Sequence, residues 1–197
     1  MTVLLTKQLP QTALTREDWE KAQRLFPDAK IELVGGKIII MAPSGYESEE
    51  VAFEFGSQLR NWVRPRKLGR VTGSSAIFDL PNGDRRAPDV SFVRADKLPQ
   101  TTKKPAAVVP DLVVQVKSPN DSLEELRQTI QSFLTQGTTV GILIDPDTRQ
   151  LEVMRLNQSV EIFRDGDTLV IPDLLPEWEL AISDLWSPDF SQSQSVS

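Results

Sequence analysis

Asp111-Leu-Val-Val-Gln-Val-Lys-Ser-Pro119 decides how the rest of this chain is read. It is a short apolar run that presents Gln115 and Lys117 two residues apart. Strand side chains alternate with period two, so both polar groups leave one face while Val114 and Val116 face the other way, into a core. Polar groups on such a strand are costly to bury unless they are paired. Ala87-Pro-Asp-Val90 upstream offers a companion, Asp89, at the head of its own short strand. An aspartate, then a second strand ending in acid or amide, any residue, lysine, is the layout of a metal-dependent phosphodiesterase site.

Composition narrows the metal. The 197 residues include no cysteine and no histidine, which excludes a zinc site of thiolates or imidazoles and every triad or shuttle built on imidazole. A divalent ion would be held by carboxylates, Gln115 Oε1, backbone carbonyls and water, the preference of magnesium or manganese. A chain without disulfides fits the cytoplasm. Its N-terminal Met1-Thr-Val-Leu-Leu-Thr-Lys-Gln-Leu-Pro10 has too short an apolar stretch for a signal peptide, and no segment approaches membrane-spanning length.

The net charge of -6 argues against a general nucleic-acid coat protein, although a local patch matters more than the sum. Arg60, Arg64, Arg66, Lys67 and Arg70 follow one another with no acid between them. Their plainer reading is a set of cations complementing a helix C-terminus; closeness to Asp89 would favour nucleic-acid binding.

Working outward, the chain reads as one core preceded by an arm over 1–14 and followed by a disordered tail over 187–197. Thr15 with Asp18 starts a short helix to about Phe26, carrying Trp19, Ala22 and Leu25. Ile31–Val34 and Lys37–Met41 form a hairpin through Gly35-Gly36. Glu47 to Val63 is a long helix with Val51, Phe55, Leu59 and Trp62 on one stripe, stopped by Pro65. Strands are expected over Val71–Leu80 and Asp89–Val93, then Leu112–Lys117. Ser122 and Glu125 cap a helix through Gln136, and strands follow at Val140–Ile144, Gln150–Met154, Val160–Phe163 and near Leu169. The strand, helix, strand order from Leu112 to Ile144 implies a parallel crossover, and the hairpins imply antiparallel pairs. The fold expected is a mixed α/β domain over 15–186, a central mixed sheet flanked by helices. Trp19, Trp62 and Trp178 lie in settings that favour core packing over base stacking.

Four segments, Ile31–Ser44, Arg86–Val93, Pro110–Pro119 and Gly141–Pro146, occur in the order found in the Uma-two family of restriction-endonuclease-like proteins, which this chain resembles from about Thr15 to Leu185. The resemblance implies the PD-(D/E)XK nuclease fold, with Asp89 as the motif aspartate and Gln115 and Lys117 at the acid and lysine positions. Glu47 resembles the acid that opens the long helix in relatives. The resemblance departs at Gln115, where most relatives carry glutamate. It departs again at Thr129 and Phe133, where relatives often have lysine and tyrosine, leaving Lys117 as the only catalytic lysine.

Asp89, Gln115, the Val116 carbonyl and Glu47 would hold magnesium or manganese, with Lys117 orienting water or stabilising charge on the phosphate. Taken singly, Asp89 reads as a turn residue, Gln115 as an edge-strand polar group, Lys117 as a strand-end surface lysine and Glu47 as a helix N-terminal acid. Glu32 reads as structural, cross-paired with a basic neighbour. Two functional readings follow: a metal-dependent endonuclease acting on DNA, as a homodimer if it cuts both strands, or a catalytically degenerate nucleic-acid-binding or assembly module. Hydrolysis of a smaller phosphoester stays open beside them.

Overall fold

The computed structural model describes residues 13–41 and 44–190. Residues 191–197 of the expected 187–197 tail and all but the last two residues of the expected arm lie outside the described residues.

Helix α1 (Arg16–Leu25) begins at Thr15, whose hydroxyl accepts the Asp18 N–H while the Asp18 carboxylate accepts the Thr15 N–H. This reciprocal cap satisfies two donors that the first turn would otherwise leave open. Strands β1 (Lys30–Val34) and β2 (Lys37–Met41) pair antiparallel. Their turn holds Gly35 and Gly36 at φ +55° and +72°, the left-handed pair that a tight hairpin demands. Helix α2 (Tyr46–Val63) buries Val51, Phe55 and Leu59 along one stripe.

Strands β3 (Gly69–Gly73), β4 (Phe78–Asp79), β5 (Arg85–Arg86), β6 (Val90–Arg94) and β7 (Leu112–Val116) come next, then helix α3 (Leu123–Gln136). The chain closes with β8 (Val140–Asp145), β9 (Gln150–Met154), β10 (Glu161–Arg164), β11 (Thr168–Ile171), β12 (Leu175–Ala181) and a 3-10 turn over Ile182–Leu185.

Six strands form the central sheet in the order β10-β9-β8-β7-β6-β3. Only β7 and β8 run parallel, joined by α3 as the crossover; the other neighbours are antiparallel. Every residue of β7 is buried, as a central strand covered on both faces must be. Val114 and Val116 pack with α2 and the β11–β12 hairpin on one face, while Val113 packs with Phe133 of α3 on the other. A four-stranded sheet, β2-β1-β5-β4, stands beside this layer with α1 against it. Among the described residues, no helix is long and apolar enough to cross a membrane.

The mixed α/β architecture is as the sequence implies, but the expected strand over Val71–Leu80 is two. β3 stops at Gly73, and the chain turns over Ser74 and Ser75 before β4 joins the smaller sheet. A run of small residues lets the backbone leave one sheet for another, where period-two patterning alone would carry the strand on. Strands β5 and β12 are additions. In β12 the buried residues are Leu175, Trp178 and Leu180; a bulge near Ile171 and a left-handed Glu177 break the alternation that would have announced a strand.

Candidate active site

Asp89 stands at the junction of the two sheets. Its backbone N–H donates to the Val114 carbonyl, fixing it immediately before β6 and against β7. One carboxylate oxygen accepts the Val116 N–H at 3.0 Å. The other lies 3.2 Å from the Lys30 ammonium, with the Asp89 side chain only 15% exposed. Burial pushes the Asp89 carboxyl above its ordinary range; Lys30 and the Val116 N–H pull it down, and the charge of Glu49 adds to the rise. Because Val116 lies between Gln115 and Lys117, the hydrogen bond ties Asp89 to the strand segment that carries the other two motif residues.

Gln115 is buried, and its amide makes no hydrogen bond among the described residues. Val113 and Phe133 pack on the face that the period of β7 gives it. Lys117 continues from the end of the strand and reaches Asp147, Nζ to Oδ2 2.5 Å. That contact is the largest cause of the upward shift in the Lys117 pKa, which holds the group as a cation and makes it a poor base.

Glu47 lies exposed in the first turn of α2. Glu49 is the helix acid whose field reaches Asp89. It borders with Asp89 a cleft of about 220 Å³ that also takes in Phe53, Gly56 and Arg60. These positions recur at helical spacing from Glu49, a pattern the sequence carries.

The basic run divides. Arg60 borders the Asp89 cleft. Arg70 donates to the Leu98 and Pro99 carbonyls at 3.0 and 2.8 Å, pinning the loop that precedes β7. Arg66 lies 4.4 Å over the Trp62 ring and bonds the Trp62 carbonyl, while Arg64 and Lys67 are exposed beyond the helix.

Sequence reasoning missed Lys30. It stands two residues before Glu32 on β1, so both side chains leave the same face. Polar groups alternating with Ile31 and Leu33 were the signal. Glu32 accepts the Ala87 N–H at 2.7 Å and pairs with Arg86 at 3.3 Å. Arg86 in turn donates to Ser132 at 2.6 Å and Thr129 at 3.2 Å and faces the Phe133 ring. Thr129 and Phe133 thus both serve a buried guanidinium. Asp111, fully buried, accepts the Arg94 N–H and pairs with Lys97 at 2.8 Å, so it holds the loop before β7.

A family model described as "Putative restriction endonuclease", Uma2, matches residues 17–183. The chain belongs to the Uma2 family. Among solved structures, it is similar to a protein from Anabaena variabilis ATCC 29413, described there as a "putative nuclease belonging to DUF820". That likeness has 25% identity and a TM-score of 0.75, and spans 87% of this chain and 97% of the other. A DrdV–DNA complex aligns with 15% identity and a TM-score of 0.33, over 61% of this chain and 12% of the other. No curated protein matches.

In this Uma2 chain the donors suit a hard, oxygen-seeking ion. No three acids, histidines or cysteines cluster as a metal cage among the described residues. Magnesium, however, is commonly bound through one or two carboxylates together with water and substrate phosphate. Asp89 beside the charge of Glu49 fits that pattern; Gln115, whose amide makes no hydrogen bond among the described residues, lies on the α3 face of β7 and does not border the Asp89–Glu49 cleft.

Proposed function

We propose that the protein is a magnesium- or manganese-dependent endonuclease that hydrolyses phosphodiester bonds of DNA in the cytoplasm. The observation that carries this reading is the Asp89 carboxylate bound to the Val116 N–H, between Gln115 and Lys117. Asp89 and the Val116 carbonyl, with Glu49 in the part first assigned to Glu47, are the groups that would hold the ion. When bound, the ion would polarise the phosphate and lower the pKa of a water.

The chain's own residues do the rest. Lys117 offers a fixed positive charge to the oxygens that become more negative as the bond breaks. Asp147 holds that charge until a phosphate competes for it. Lys30 neutralises Asp89 in the resting protein, limiting the cost of a buried carboxylate. Arg60 gives the rim of the cleft an attraction for the strand's phosphates. A homodimer would let two such sites cut both strands.

The second reading, a degenerate binding or assembly module, draws on Lys30 and Asp147: the chain itself already pairs both charged motif residues. Nicking of supercoiled plasmid with magnesium or manganese separates the two. Wild type is expected to nick, Asp89→Ala to lose at least ~100-fold, Lys117→Ala to lose a comparable factor, and EDTA to stop all cutting. Cutting that survives Asp89→Ala would remove the site, and a wild type that cuts under no condition would leave the binding module.

A further inference from the structure

We infer that the cavity beside Lys30 is a nucleotide pocket that holds one unpaired nucleotide of a DNA strand while the next phosphate lies at Asp89. The inference rests on the nuclease reading for its orientation. Its binding claim stands apart from cleavage.

The cavity measures about 550 Å³, within the range of small-ligand sites. Four cations line it, Lys30, Arg70, Lys103 and Lys104, against one acid, Asp28. In a chain of net charge -6, that local excess marks a place where an anion gains. Arg70 is spent on the Leu98 and Pro99 carbonyls, which fixes the loop forming one wall. Lys103 and Lys104 have no side-chain partner among the described residues, so their charge is available to a ligand. Ala76, Ile77 and Leu98, each half-buried, supply apolar surface. Phosphate-binding cations beside an apolar floor match a nucleotide, whose base has a flat face to bury.

Two residues tie this cavity to the site. Lys30 lines it and touches Asp89. Thr72 lines both it and the Asp89 cleft. A strand leaving the cavity past Thr72 would therefore reach Asp89 and then Arg60. A paired base cannot enter such a recess without leaving its stack, which costs a few kcal/mol, so the pocket selects unpaired DNA.

The test uses fluorescein-labelled 12-nucleotide thymidylate and a blunt 12-base-pair duplex. Anisotropy is measured in EDTA, so that no cleavage is involved. Wild type is expected to bind the single strand about tenfold more tightly than the duplex. Lys103→Glu with Lys104→Glu places charge reversals on exposed positions, and Ser75→Trp fills the cavity. Each is expected to weaken single-strand binding about tenfold with an unchanged melting temperature. Binding of thymidylate equal to wild type in the double charge reversal overturns the pocket, as does duplex binding as tight as single-strand binding. If wild type with magnesium or manganese cuts neither plasmid nor the labelled single strand while the variants lose thymidylate binding, the nuclease reading falls and the pocket stands. If wild type nicks and the variants bind and cut unchanged, the pocket falls and the nuclease stands.

Discussion

At Asp89 the chain accepts an electrostatic cost inside a hydrogen-bonded junction. Burial raises its carboxyl pKa despite Lys30 and the Val116 N–H, so the folded protein retains a proton that the unfolded chain would release. The contribution to stability is present below the ordinary aspartate range and is lost as pH rises through the raised folded value. At neutral pH the ionised group therefore weakens the fold. Asp89→Asn keeps an oxygen for the Val116 N–H and frees Lys30, which is partly exposed, to turn to water. It is expected to raise the melting temperature by a few degrees at neutral pH while abolishing nicking. Scanning calorimetry across pH should show the advantage shrinking on acidification. A variant less stable than wild type at neutral pH would mean that the Lys30 pair outweighs desolvation. The motif residues could be read from their order in the sequence. Their partners could not, because Lys30 and Asp147 lie 59 and 30 positions away along the chain and only the tertiary fold brings them in.

Among the elements, the parallel crossover places the motif strand, and one close approach sets how deeply α3 sits on it. At Gly141 of β8, an added Cβ would stand 2.1 Å from Ile130 Cγ2. Ile130 is completely buried, so neither partner has free space to yield. Gly141→Ala is expected to cost about 1–3 kcal/mol, the range for overpacking a filled core. Gly141→Ala with Ile130→Val, which shortens the facing side chain, should recover part of that. Urea unfolding of the three proteins checks it; an alanine variant as stable as wild type would show that α3 can slide. Both elements were legible, α3 from Ser122 and its apolar spacing and β8 from an unbroken apolar run. Their contact was not, since a glycine within a strand pattern reads equally as a bulge or a close approach.

Across the whole molecule, Arg86 joins the small sheet to the helix that covers the central one. Its guanidinium reaches Glu32 in the small sheet and Ser132 and Thr129 on α3, which covers the central sheet. Both charged side chains are under a tenth exposed. Nothing in the sequence marks Arg86 as buried, because charge ordinarily means surface; a buried arginine became visible only once two sheets and a helix met around it. Breaking a buried pair from one side leaves the other charge without compensation, at about 3–5 kcal/mol. Arg86→Met should therefore lose roughly that much in urea unfolding. Adding Glu32→Gln removes the stranded charge while keeping an acceptor for the Ala87 N–H, so the double variant should recover most of the loss. Ala87 and Pro88 lead directly into Asp89, so the same variants also report on the site. If Arg86 fixes the small sheet against the central one, Arg86→Met should weaken nicking even below its unfolding midpoint, and the double variant should restore it. A loss under about 1 kcal/mol would mean that apolar packing alone docks the layers, leaving Lys30 and Asp89 to find each other without Arg86.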